Sequence, residues 1–241
     1  MKRYFAVCLA GLFWGSSAYA QLVVVEARGA GLKAGQTISA TANIVLKEGE
    51  RLVVISPEGR SITLRGPFSG PPAPAASAAA DPAKALAVLV ASRDARTKSV
   101  GVVRAGTDTV KTPDPWAIDI SRPGPRCLRE GDRPEFWRPR AESSQPFVVF
   151  PADRSWRADF AWQPGQDRLQ LPDLSRFQGL TTLLVNIDQQ EHAITFSRIP
   201  VEVTDPFILA AWMLERGCIQ QGDALLRMLS AQMGSTGPRL N

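Results

Sequence analysis

Histidine is almost missing from this sequence: His192 is the only one among 241 residues. A single imidazole cannot supply the several ligands a zinc site needs. No carboxylates cluster near it in the chain, so His192 reads as an ordinary strand residue and no metal site is expected. A Ser-His-Asp triad would need the same residue, and no Gly-x-Ser-x-Gly elbow is present to carry its nucleophile. No serine or threonine stands three residues before a lysine. The glycine-rich segment 29–35 lacks the Lys-Ser/Thr pair of a phosphate loop, and no Asp-rich calcium loop occurs. No cofactor is expected from this inventory.

Long apolar runs are scarce too. Residues 4–14 form the one nearly unbroken stretch, short of the roughly 20 residues that span a bilayer. Lys2 and Arg3 precede it, and Ala18-Tyr19-Ala20 follows as an A-x-A cleavage site. Residues 1–20 are therefore read as a cleavable signal peptide, with the mature chain beginning at Gln21. Cys8 lies inside the apolar stretch rather than after a small residue at its end, which argues against a lipid-modified cysteine. No transmembrane segment is expected after cleavage, and the expected location is the periplasm or outside the cell. Nucleic acid is then an unexpected partner.

Of three cysteines, Cys127 and Cys218 remain in the mature chain. An even count in an oxidising compartment favours a disulfide, and the spacing suits neither a redox Cys-x-x-Cys nor a zinc site. The formal charge of +5 includes Lys2 and Arg3. Residues 84–111 concentrate six basic residues against Asp94 and Asp108, whereas residues 112–204 hold eleven arginines, no lysine and thirteen acids. The basic segment makes Arg93, Arg96 and Lys98 candidate contacts to an anionic surface.

The chain divides by composition. Residues 21–70 carry short β-branched runs at 22–25, 42–46, 51–55 and 61–65, separated by Lys47-Glu48-Gly49-Glu50 and the turn Pro57-Glu58-Gly59-Arg60. Such a pattern predicts a small antiparallel β domain. The line GLKAGQTISATANIVLKEGERLVVISPEGRSITLRGPFSG resembles FecR-like periplasmic domains, through Gly31, Gly35, Leu46, Gly49, Leu52 and Val54. The resemblance covers about a fifth of the chain and is also shared by secreted proteobacterial proteins. It implies a fold used in envelope signalling and in carbohydrate or protein contacts. The signalling members are membrane-anchored, so only the fold is carried over.

Residues 71–111 begin as a Pro/Ala-rich linker, which should be extended. Asp81-Pro82 then starts a short helix, as N-cap and first-turn proline, with Leu86, Leu89 and Val90 on one face and basic residues at its end. A strand is expected at 100–104. In residues 112–241, strand candidates at 116–120, 135–137, 147–150, 156–162, 168–171, 181–187 and 192–199 predict an immunoglobulin-like β-sandwich. A helical hairpin follows, with Asp205 and Pro206 opening the first helix, Gly217 ending it and a second helix over 221–232. The fold class is thus mainly β, with the first β unit standing apart across the linker.

Two site readings compete in the sandwich. Trp137 could stack on a sugar ring while Arg138 and Arg140 hold anionic groups. Trp116, Trp156 and Trp162 are strand aromatics of the same kind, and core packing is the alternative for all four. Glu130, Asp132 and Glu135 are close enough in sequence to suggest a two-carboxylate hydrolase, although interleaved Arg129 and Arg133 favour a solvated loop. The expected function is that of an exported, non-catalytic binding or scaffold protein of the bacterial cell envelope, with an envelope protein or glycan as partner. The competing expectation is a carboxylate-dependent hydrolase acting on envelope glycans.

Overall fold

A computed structural model describes residues 21–72, 81–99, 112–171, 175 and 179–235. The expected signal peptide at 1–20, the strand expected at 100–104 and linker residues 73–80 lie outside the described residues. The chain is mixed but mainly β, with one middle helix and a C-terminal pair of contacting helices.

The first β unit contains β1 (Gln21–Arg28), β2 (Thr37–Ser39), β3 (Ile44–Leu46), β4 (Arg51–Ile55), β5 (Ser61–Arg65) and β6 (Phe68–Gly70). Four strands form an antiparallel sheet in the order β2-β1-β4-β5, and β3 pairs with β6. The β4–β5 turn closes where Gly59, at φ 74°, donates its N–H to the Ser56 carbonyl at 2.8 Å. Positive φ is costly for any residue with a Cβ, which explains glycine there. The two central strands are buried on both faces. Leu22, Val24, Leu52 and Val54 pack with Ile38, Ala40 and Leu46 on one side. Val23, Val25, Val53 and Ile55 join the helices on the other. That is why β1 and β4 read as continuous apolar runs instead of alternating ones.

Helix α1 (Pro82–Ser99) begins as expected, with the Asp81 carboxylate accepting the Ala83 N–H at 3.0 Å. Its Leu89 is fully buried, and Leu86 and Val90 pack beside it.

The second β region comprises β7 (Ala117–Asp119), β8 (Gly124–Arg129), β9 (Glu135–Trp137), β10 (Gln145–Pro151), β11 (Ala158–Trp162), β12 (Arg168–Gln170), β13 (Thr182–Ile187) and β14 (Gln190–Ile199). One sheet runs β11-β10-β13-β14-β8 and the other β12-β9-β7. Both feed a common core that includes Ile118, Phe136, Phe147, Trp162, Val185 and Ile194. All seven expected strands are present. β8 is additional: Gly124, Pro125 and the arginines at 126 and 129 disguise it. An edge strand tolerates the proline, and Arg126 hides its charge by donating to the Asp119 and Arg122 carbonyls at 2.9 Å. Two pairings, β8 with β14 and β7 with β9, are parallel, unlike the antiparallel sheets of an immunoglobulin-like domain.

Helix α2 (Pro206–Glu215) is capped by Asp205, whose carboxylate accepts the Phe207 and Ile208 N–H groups. Gly217, at φ 77°, ends it with paired bonds from Cys218 N–H to the Met213 carbonyl and from Gly217 N–H to the Leu214 carbonyl. That pairing is a Schellman turn. Helix α3 (Ile219–Ser235) starts two residues earlier than the sequence suggested.

The first β unit does not stand apart. The hairpin core joins Val23, Val25, Val53 and Ile55 to Leu89, Cys127, Ile199, Trp212 and Leu226. Ser61 Oγ donates to Glu215 at 2.8 Å, and Arg216 donates to the Val25 carbonyl at 2.6 Å. The physical reason is the second apolar face of β1 and β4, which the unit cannot cover by itself. Among the described residues, no helix is long and apolar enough to cross a membrane.

Candidate functional site

The expected disulfide is formed. Cys127 on β8 and Cys218 in the turn between α2 and α3 are bonded, across a sequence separation of 91. Gln221, one turn further on and 1 % exposed, grips the same residue through its backbone. Its Oε1 accepts the Cys127 N–H at 2.7 Å, and its Nε2 donates to the Cys127 and Pro115 carbonyls, each at 2.8 Å. The amide thus does for the edge of β8 what a further strand would do.

Trp137 and Arg138 are not presented to a ligand. Both are buried, at 6 % and 3 % exposure. The Arg138 guanidinium is taken up by the carbonyls of Gln166, Ser143, Ala141 and Gln163 at 2.7–3.3 Å. It also lies over the ring of Trp162, which is fully buried. These residues shape the loops beside β9, and only Arg140 of the expected trio is exposed. Trp116 is half-buried beneath the Arg129 guanidinium, 3.8 Å from the ring centroid.

The three carboxylates are in different settings. Glu130 and Asp132 are exposed in the turn after β8. Glu135 pairs with Arg168 at 2.5 Å, and Arg168 also holds Asp114 at 2.5 Å. Burial alone would push the Asp114 carboxyl up. Hydrogen bonds from Arg168 and from the Trp116 and Ala117 N–H groups outweigh that and hold it below its ordinary value. His192 Nε2 lies 2.7 Å from the Ile120 carbonyl, a bond between neighbouring segments. Among the described residues, no group of three His, Cys, Asp or Glu is placed to hold a metal.

Arg93 is engaged rather than free. It contacts Asp223 at 2.6 Å and Asp94 at 2.5 Å, and hydrogen bonding to these two carboxylates raises its pKa. Those acids cancel much of the charge on which an anionic-surface contact would rely. The side chains of Arg96 and Lys98 lie outside the described residues.

A second set of convergent cations lies on the first β sheet. Arg28, Arg51 and Arg65 are direct cross-strand neighbours on β1, β4 and β5. Residues paired in this way share a sheet face. The three line a groove of about 330 Å³, together with Gly49, Glu50 and Gly66. Glu26 lies 3.4 Å from Arg28 and 3.8 Å from Arg51. Glu50 accepts the Lys47 N–H at 2.7 Å. Arg65 has no ion-pair partner among the described residues, and the Arg51 Nε is buried without a hydrogen-bond acceptor. A signal for part of this row was present in the sequence: the turn residues at 57–60 mark a hairpin, and with its loop centred on Glu58 Arg51 lies opposite Arg65. The Arg28–Arg51 pairing depends on a bulge at Val24–Glu26 that shifts the β1 register.

Comparison with known proteins returns no matching family model, no matching curated protein and no matching solved structure.

Proposed function

We propose that this chain is an exported, non-catalytic binding or scaffold protein of the bacterial cell envelope. The observation that carries this reading is the disulfide-closed helical hairpin, which joins both β regions around one core while the arginine-lined groove stays open. A disulfide of this kind persists in an oxidising compartment, and the signal-like residues 1–20 supply the route there.

Two finer statements belong to the same proposal. Residues 21–70 form a FecR-like domain, supported by glycines at positive φ at positions 31, 35 and 49, next to short antiparallel strands. Residues 112–204 form a two-layer sandwich of immunoglobulin-like architecture, supported by the core shared between its two sheets. Its two parallel pairings are a departure from that topology.

Fractionating cells that express the full chain, with alkylation of free thiols before lysis, tests the location. The expected protein is extracytoplasmic, shortened at its N-terminus and blocked at neither Cys127 nor Cys218. A cytoplasmic protein with both thiols alkylated overturns the reading. Screening the protein on an envelope glycan panel tests the non-catalytic part. Hydrolysis that disappears when Glu130, Asp132 and Glu135 are replaced together by their amides would establish the hydrolase instead.

A further inference from the structure

We propose that the arginine row of β1, β4 and β5 binds the carboxylate groups of an acidic polysaccharide. This names the ligand class of the groove and rests on the envelope-binding reading above.

The row is hard to explain as a structural device. Like charges placed directly opposite on neighbouring strands repel and destabilise a sheet, yet here three arginines follow one another across two pairings. Ion pairing within the fold relieves this only in part. Glu26 accepts a 3.4 Å hydrogen bond from Arg28 and lies 3.8 Å from Arg51, and Glu50 is already engaged by a backbone N–H. Counting both acids, the row keeps an excess of one positive charge. Arg65 is exposed and unpaired among the described residues, and Arg51 keeps a buried Nε–H that no protein atom accepts.

The geometry selects among anions. Adjacent strands lie about 4.8 Å apart, so the three side chains are rooted at regular steps over about 10 Å. Such a ladder suits charges repeated along an extended chain, whereas one small anion would occupy only one or two of its rungs. A guanidinium fork matches a planar carboxylate through two parallel hydrogen bonds, which a lysine cannot do. Gly49 also lines the groove, and a Cβ added there would meet nothing within 4 Å. A ligand backbone can therefore come close to the protein chain there.

Titration of the oxidised full chain with fluorescent oligogalacturonate, read by anisotropy, tests the proposal. A neutral dextran oligomer and inorganic phosphate at matched total charge serve as comparators. Saturable binding of oligogalacturonate is expected, weakened about tenfold in Arg65→Gln through loss of a charge-assisted contact. The variant's thermal midpoint should not fall, because Arg65 supports no other described group. Arg133→Gln, exposed in the loop before β9, should bind as the parent does. Raising salt from about 50 to about 500 mM should weaken binding roughly tenfold or more, as screening shortens the range of the charges. No binding of oligogalacturonate, equal binding of dextran, full displacement by phosphate, or an Arg65→Gln variant that binds normally would each overturn the proposal. If that happens while the protein remains extracytoplasmic with its disulfide formed, the envelope-binding reading stands and only the ligand class fails. A cytoplasmic, reduced protein removes both.

Discussion

Replacing Gln221 by Met removes three hydrogen bonds while nearly preserving side-chain length and helix propensity. The amide serves the Cys127 N–H and the Cys127 and Pro115 carbonyls at 2.7–2.8 Å, inside a site that is 1 % exposed. Water cannot substitute there without opening α3 from β8. Each buried backbone group left without a partner costs about 1–3 kcal/mol. The variant should therefore lose about 3–6 kcal/mol, allowing for partial relaxation. With a urea dependence of about 2–3 kcal/mol per molar for a chain of this size, the unfolding midpoint should drop by more than about 1 M. Gln221→Glu sharpens the test. It keeps an acceptor for the Cys127 N–H but aims a carboxylate at two carbonyls, so at neutral pH it should be at least as damaging. A midpoint shift under about 0.3 M for Gln221→Met, with the disulfide intact, would refute the view that this side chain acts as a substitute strand.

Three further outcomes follow from the same structure. Reduction of Cys127–Cys218, or its replacement by two alanines, frees a loop set by a separation of 91 residues. Chain-entropy reasoning puts the loss at about 4–5 kcal/mol, measured by denaturant unfolding with and without reductant; a loss below about 1 kcal/mol would contradict it. Arg138→Lys keeps the charge but cannot reach four carbonyls with a planar fork. It should cost about 2–4 kcal/mol, and an unchanged thermal midpoint would show that those carbonyls find other donors. Asp114 has its folded pKa below the ordinary 3.8, so its contribution is present above that value and is lost as pH falls through the lowered one. Asp114→Asn should lower stability at neutral pH and flatten the acid limb of the stability profile. A parallel downward shift at every pH would assign its role to packing instead.

Local features were legible where a residue's chemistry acts through its nearest neighbours in the chain. Asp81 and Asp205 announce helix starts because a side-chain oxygen accepts an N–H two or three residues on. Gly217 announces a helix end through its positive φ. The disulfide was legible by count and compartment. Much of what distant partners set was not legible. Trp137 and Arg138 look like a sugar-binding pair in sequence, but carbonyls up to 28 residues away claim the guanidinium. β8 looks polar because Arg126 finds its acceptors in the preceding loop rather than in solvent. The arginine row needed strand register, which a bulge alters by one residue and which no composition rule conveys. The second apolar face of β1 and β4 was written plainly in the sequence, yet its partner, a helix nearly 200 residues on, was not.

That partnership has a consequence for how the molecule is made. Helices α2 and α3 follow every described strand, so a ribosome produces the first β unit long before its second face can be covered. Until then Val23, Val25, Val53 and Ile55 are open to solvent, on strands prone to adhere to others like them. Contacts of such large sequence separation also slow folding. The polypeptide therefore has reason to remain unfolded and chaperone-held through synthesis and to assemble late, with the last helices acting as the closing step. Truncation within α3 should then show itself first as aggregation of the opposite end of the protein.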